Sequence, residues 1–579
     1  MGDKSGYDRT TRQSGLPLSG EAMAPQDLAA ALSSWRACLG TDRVLDAAVA
    51  AQHYGTDTIG QGRIVPAALL ITERAEVRAA LEIARRHRIS LYPISTGNNW
   101  GYGGASPVVD NCVVLDLSGM NRIIKMDQEF GLVTVEPGVT QGQLRDYLDR
   151  HALRFMVPTT GAGPNCSLVG NALDRGYGIT PHADHFGAVT ALEAVLPDGR
   201  LYRSALADLG AETLDQAFKW GLGPYLDGLF AQGNIGVITQ MTIALAPQPE
   251  RVEAFFFGIA ADEGLESAVL AVRGILRTLG VMVGAINLMN ARRVLAMTVP
   301  YPSDLASSDG VLPQDVVMDL ARRHQVRAWM GVGALYGDPK IVRAAREVVR
   351  QFLRPVADRI VFITPERGAL LGRLVRSVPT LSRIAKLFGV ADIARLLRVI
   401  DKSLEVMAGR PSEVALPLAY WRTGRPRPEG TLNPARDGSG LIWYSPLVLM
   451  TPAAIRNYVA MVGEVCTVHG IEPLITLTSL TDRCFDSTIP LLFDRDDAGQ
   501  AARAAACFDA LFEAGKRQGC MPYRLGIQSM SQVTGMPLPF WELVGTIKSA
   551  IDPGGIIAPG RYAPVAVSVN RSPGIEAAE

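Results

Sequence analysis

From Ala68 the apolar positions run as strand, helix, strand. ALLIT predicts a short strand, Ala75–His87 (AEVRAALEIARRH) carries apolar residues three and four apart, and SLYPIS predicts a second strand. Thr72 is the candidate cap of the intervening helix. Two more apolar runs, CVVLDLSGM and LVTVEPGV, predict further strands, and Thr140 is placed to cap a helix through TQGQLRDYLDRHA. TALEAVLPDGRLYRS predicts a hairpin with Asp198-Gly199 at its turn, and GNIGVITQMTIALAPQP ends this region on a strand. Two stretches interrupt the pattern. PISTGNNWGYGGASP, Pro93 to Pro107, holds four glycines and two asparagines, and a second glycine-rich loop spans Pro158 to Gly178. The first cannot be a core strand or helix, and glycine there lets backbone approach another group closely.

APQPE, Ala246 to Glu250, predicts a boundary, after which strands alternate with long helices to about Ala510. Within that region Arg367 to Lys402 carries eight basic residues against Asp392 and Asp401, with apolar residues at helical spacing. This is the pattern of a solvated amphipathic helix face, and it is also a candidate surface for an acidic carrier protein, an anionic substrate tail or a membrane. Ala498–Gln518 predicts a helix. The closing stretch IDPGGIIAPGRYAP is rich in glycine and proline like the early loops, which suggests that the C-terminus folds back onto the first region.

Composition narrows the function classes. The 579 residues exceed one hydrophobic core, so at least two domains are expected. Lys+Arg and Asp+Glu both number 57, a balance without the basic excess of a nucleic-acid binder. No apolar run reaches transmembrane length, and the N-terminus lacks the apolar core of a secretory signal. The seven cysteines are dispersed without CxxC or zinc spacing, as expected for reduced thiols in a cytoplasmic protein, and no metal site is expected.

Glycine-rich loops that each leave a strand can converge as backbone N–H donors on a phosphate-bearing ligand. The first loop is neither GxGxxG opening a helix nor GxxxxGK[ST], which disfavours a nicotinamide Rossmann site or a P-loop. Taken in order, PISTGNNWGYGG, LVTVEPGVT, LVGNALDRGYGITPHADHFG, FKWGLGPYLDGLFAQGNIGVIT and IDPGGIIAPGR resemble the vanillyl-alcohol oxidase/p-cresol methylhydroxylase family of flavoproteins. The resemblance runs from about Ala68 to Pro247 and again from about Cys520 to Tyr562.

That resemblance implies an α+β protein. Residues 27–248 and a C-terminal segment, 511–579, would form a two-part FAD-binding domain, with an α+β cap domain, 249–510, between them and a flexible arm at 1–26. It implies FAD held by Pro93, Ser95, Thr96, Gly97, Asn98, Asn99, Gly101 and Gly103 of the first loop. Gly161, Ser167, Gly170, Asn171, Gly178 and His185 of the second would join them, with Gly236, Ile238 and Arg561. It also implies a small para-hydroxyphenyl substrate, bound as a phenolate by Tyr102, Tyr523 and Arg524, which loses a benzylic hydride to the flavin and becomes a quinone methide. Arg stays charged and Tyr hydroxyls donate, so the trio suits an oxyanion in a dry site. The electron acceptor would be oxygen or a protein, and a homo-oligomer is expected.

Three departures shape the expectation. The position aligned with the flavin-tethering residue, in DGSGLIWYSP, is Leu441, so FAD is expected to be held non-covalently; Tyr444 is close but out of register. TTGAGPNCS, Thr159 to Ser167, has no carboxylate to activate water onto the quinone methide, which turns the expected outcome toward desaturation or oxidative decarboxylation. His182 stands where the family has a tyrosine, either as a loop histidine bonded to backbone or as a proton relay. Three alternatives stay open: hydroxylation or alcohol oxidation of a 4-alkylphenol, oxidation of a hydroxy acid or sugar with Arg524 holding a carboxylate, and a non-catalytic flavin-binding protein.

Overall fold

The computed structural model describes residues 25–307, 310–377, 393–424 and 427–565. Three sheets carry the fold. The first joins β1 (Val44–Leu45), β2 (Ala68–Leu70), β3 (Leu91–Ile94) and β4 (Val113–Asp116) in the order β1-β2-β4-β3. β2, β4 and β3 run parallel, because the helix Arg74–His87 returns the chain between β2 and β3. That helix buries Val77, Ala80, Leu81 and Ala84, the stripe its spacing predicts, against the helix Pro25–Leu39. Thr72 does not cap it. The cap position is Glu73, and the Thr72 amide and hydroxyl instead donate to Glu76. The expected arm lies outside the described residues up to residue 24, and Pro25 and Gln26 already belong to the first helix.

The second sheet is antiparallel, ordered β5-β6-β9-β7-β8, from β5 (Ile123–Asp127), β6 (Leu132–Val135), β7 (Val189–Val195), β8 (Leu201–Tyr202) and β9 (Val237–Ala244). The hairpin turns where expected, with Gly199 at φ +85°. Thr140 opens the helix Gln141–Arg150 in a reciprocal capping box with Gln143. Ala246–Glu250 is no loose linker: the Met156 amide donates to the Ala246 carbonyl and the Gln248 amide to Arg154.

The third sheet has eight strands among the described residues: β10 (Arg251–Ile259), β11 (Asn287–Asn290), β12 (Trp329–Gly337), β13 (Arg359–Ile363), β14 (Ser439–Tyr444), β15 (Leu447–Leu449), β16 (Thr476–Ser479) and β17 (Cys484–Asp494). Its order is β13-β10-β12-β11-β16-β17-β14, with β15 also on β17. Strand alternation gives the sheet two unlike faces. Phe255, Phe257, Leu288, Leu477, Phe485, Ile489, Leu491 and Phe493 enter one core with the helices Leu265–Leu279, Pro339–Leu353, Pro452–Val468 and Ala498–Arg517. Burying each such side chain stabilises the fold by about 1.5–3 kcal/mol. Gly331 and Gly333 make room for the two phenylalanines; a Cβ on Gly331 would stand 2.0 Å from the Phe257 ring. The opposite face of β17 and β14, with Asp486, Thr488, Leu441 and Trp443, looks into a cavity. Of the basic segment, residues 378–392 lie outside the described residues; the helices Pro365–Ser377 and Ile393–Met407 flank them.

The closing stretch returns to the first sheet. The Leu91 amide donates to Ile556, the Ala558 amide donates to Leu91, and Asn234 donates to the Ala558 carbonyl. Lys548, buried and paired with Asp552, also donates to the Asn234 and Ile557 carbonyls.

Candidate active site

A cavity of about 420 Å³ lies between the glycine-rich loops, the polar face of β14 and β17, and the returning C-terminal segment. The first loop reaches it because β3 ends at Ile94 and the chain then turns over the sheet edge. Thr96, Gly97, Asn98 and Asn99 line the cavity, and their backbone amides donate to no acceptor among the described residues. Four successive free N–H groups on a cavity wall form an anion cradle of the kind a pyrophosphate fills. The loop is pinned behind the cradle. The Gly101 amide donates to Thr58, Thr58 donates to the Leu441 carbonyl, and the Trp443 amide donates to Gly101. Gly101 has φ +80°, and a Cβ there would lie 2.2 Å from Trp443, so this contact requires glycine.

Of the residues expected at the cofactor, Pro93, Ser95, Thr96, Gly97, Asn98, Asn99, Gly161, Ser167, Gly170, Asn171, Gly236, Ile238 and Arg561 line the cavity. Gly101 and Gly103 do not line it; they pack against Trp443 and Ile527. Gly178 and His185 also stand behind the wall. His185 is buried with Nδ1 against the Asn171 amide group, and burial pulls its pKa down to about 4. A Cβ on Gly178 would meet the His185 ring at 2.6 Å, so this pair props Asn171. His182 is exposed on its loop and does not line the cavity, which removes the positional basis for a proton relay.

Tyr102, Tyr523 and Arg524 come together although 420 residues separate the first from the others. The Ile527 amide donates to the Tyr102 carbonyl, the Tyr523 amide to Ser445, Gln232 to the Tyr523 carbonyl, and the Leu525 amide to the Tyr562 hydroxyl. Four distant segments therefore fix the pair. The Arg524 guanidinium lies over the Tyr102 ring, 4.3 Å from its centroid. Tyr102 and Ser445 share a hydroxyl–hydroxyl hydrogen bond of 2.7 Å. Burial pushes the Tyr102 hydroxyl up to about 12 and that of Tyr523 further, so both remain donors at neutral pH.

Two carboxylates line the cavity, and sequence reading assigned neither. Asp174, at the end of the helix Leu168–Leu173, accepts from Arg524 at 2.5 Å, from Arg561 at 2.8 Å and from Asn99 at 2.9 Å. Burial acts to raise its pKa, but the two guanidiniums prevail and hold it at about 2. Arg524 Nη2 is committed to Asp174 and Asn99, while its buried Nε has no hydrogen-bond partner among the described residues. Asp486, on β17, accepts from Tyr523 at 3.4 Å, and its Oδ1 has no described partner. Its only sequence signal was the alternation of CFDSTIPLLF, which puts it opposite Phe485. Leu441 is buried on the cavity wall, whereas Tyr444 points into the helix-covered core. No histidine is among the lining residues.

The glycine cradle and Arg561 form a donor set that fits a flavin dinucleotide. A sequence-family description of an FAD binding domain matches residues 65–205. The chain is 36% identical to 1'-carboxy-chondrochloren decarboxylase of Chondromyces crocatus over 93% of its own length and 98% of that protein. It is 29% identical to the flavoprotein subunit of 4-cresol dehydrogenase (hydroxylating) of Pseudomonas putida, over 92% and 94%. Among solved structures, p-cresol methylhydroxylase with substrate bound superposes with a TM-score of 0.82 at 27% identity, over 94% of this chain and 98% of that one. A cavity built from the loops that carry the family motifs, and likeness over nearly the full length of these relatives, place the chain in the vanillyl-alcohol oxidase/p-cresol methylhydroxylase family of FAD-dependent oxidoreductases.

Proposed function

We propose that the protein oxidises a para-substituted phenol at its benzylic carbon and that the product forms by loss of CO₂ from the neighbouring carbon. The observation that carries the first half is the meeting of Tyr102, Tyr523 and Arg524, with Arg524 Nε left without a partner, in one cavity. Two neutral hydroxyl donors and a fixed cation stabilise a phenolate, and a phenolate pushes electron density toward the carbon that gives up hydride. Bound FAD supplies the hydride acceptor. Residues 27–248 with 511–579 would hold it, with 249–510 as the cap over the substrate; Arg561 would favour negative charge on the reduced ring.

The second half rests on the wall formed by Thr160, Gly161, Ala162 and Cys166, which brings no carboxylate to the cavity. With no base there to activate water, a substrate carboxylate on the adjacent carbon leaves as CO₂. Its bonding electrons re-aromatise the ring, and a styrene-type phenol results. The relative named as a decarboxylase supports this ending. A second reading, water addition, is favoured by Asp486, a carboxylate elsewhere on the same cavity, and by the hydroxylating relative. Product analysis in ¹⁸O-labelled water separates the two: decarboxylation gives an alkene without label, and a labelled benzylic alcohol as main product would reject it.

We further propose that FAD is held without a covalent bond, since the wall at the tethering position is Leu441 and no histidine is among the residues lining the cavity. Acid precipitation should leave a colourless pellet and a yellow supernatant; colour retained in the pellet would overturn it.

A further inference from the structure

We infer that Asp486 is the proton acceptor of this site, taking the substrate's phenolic proton through the Tyr523 hydroxyl. The inference rests on the phenolate reading above. A para-alkylphenol ionises near pH 10, so at neutral pH it enters as the neutral phenol and must lose its proton inside the cavity. Arg524 cannot accept a proton. Tyr102 leads only to the Ser445 hydroxyl. No histidine lines the cavity, and Asp174 already holds two guanidiniums and an amide. Asp486 is what remains: 4% exposed, on the cavity wall, with Oδ2 on the Tyr523 hydroxyl and Oδ1 without a described partner.

The step balances. The substrate O–H bond breaks as its proton passes to the Tyr523 oxygen, and the Tyr523 proton passes to Asp486 Oδ2. One negative charge moves from the carboxylate to the substrate oxygen, and the buried cavity keeps its net charge. The charge stays in the field of Arg524, which both Tyr102 and Asp486 feel. When the ring re-aromatises, the same relay runs backwards and returns the proton to the product phenol.

The groups that face Asp486 allow this. Arg524 and Tyr523 lie beside it, Tyr102 and Tyr177 feel its charge, Cys484 is two residues back on its own strand, and Thr478 is opposite it on β16. Burial outweighs Arg524 and raises its pKa to about 7, between a carboxylate too weakly basic to take the proton and one too basic to release it.

The test is Asp486→Asn in the FAD-loaded enzyme. It compares flavin reduction without oxygen by para-ethylphenol and by a ring-fluorinated, more acidic analogue, over roughly pH 5 to 9. In the parent enzyme the rate with para-ethylphenol should climb through about pH 7. In the variant that limb should vanish and the rate at neutral pH fall roughly a hundredfold. The acidic analogue, which arrives already ionised, should restore most of it. Asp486→Glu should keep a limb, shifted in pH. A variant that keeps the parent pH profile, or is no faster with the acidic analogue, would overturn the assignment. The near-ultraviolet absorbance of a bound phenolate, read in the parent enzyme, tests the underlying reading separately. Its absence there would reject phenolate binding itself, whereas its presence beside an unchanged variant rejects only the role of Asp486.

Discussion

Asp174 and Asp486 sit on different walls of one cavity, each 4% exposed and each in the field of Arg524, yet they titrate in opposite directions. Asp174 has two guanidiniums and an amide in contact and stays ionised down to about pH 2. Asp486 has a single tyrosine hydroxyl at 3.4 Å, feels Arg524 only at a distance, and keeps its proton to about pH 7. Burial penalises the charged form of both. Direct charge-assisted hydrogen bonds decide which carboxylate is structural and which can exchange a proton.

The largest effect should come from removing what the two carboxylates share. Arg524→Ala deletes the phenolate's cation and half of the Asp174 clamp, and should cost about 3–5 kcal/mol of anion stabilisation. Phenol-driven flavin reduction should therefore be almost abolished; an unchanged rate would break the phenolate assignment. Asp174→Asn leaves Arg524 and Arg561 buried with a neutral partner. It should lower the melting temperature by an amount equivalent to several kcal/mol, on the order of 3–5. A melting curve like the parent's would mean that the clamp is not structural.

Gly101→Ala tests the support behind the glycine loop at a smaller scale. The Cβ lies 2.2 Å from Trp443, so the loop must shift and FAD retention after gel filtration should fall. A variant that keeps full flavin would show that the loop yields without losing its cradle.

On stability against pH the two carboxylates should act with opposite sign. The Asp174 pKa is depressed by folding, so its contribution is complete above the ordinary 3.8 and is lost as pH falls toward about 2. The Asp486 pKa is raised, so between 3.8 and about 7 the folded state binds more protons than the unfolded one, and stability declines as pH rises. Asp486→Asn should remove that decline and melt higher than the parent at pH above 7, while Asp174→Asn melts lower. Melting both variants at a series of pH values checks the signs.

Much was legible because it is local. Local patterns gave the helix between β2 and β3, the Thr140 cap and the Asp198-Gly199 turn, since each depends on neighbours within about four residues. The first glycine loop was recognisable because tight turns and close approaches need glycine. Thr72 failed as a cap because Glu76, one turn on, competes for it.

What remained hidden depends on pairs far apart in sequence. Order of motifs was enough to select Tyr102, Tyr523 and Arg524, but not to show that Arg524 spends Nη2 on Asp174 and keeps Nε free. PHADH was read with His182 as a relay candidate and His185 at the cofactor; packing instead leaves the first exposed and buries the second where it props Asn171. Asp486 was one acidic residue among many in the cap region, and its raised pKa arises only when β17 buries that face against the cavity. The sequence alone determined the turns, the helices and the identity of the charges. Which charges are paired, and so which one can move a proton, was decided by the tertiary structure, because desolvation and ion pairing are properties of an assembled environment rather than of a residue.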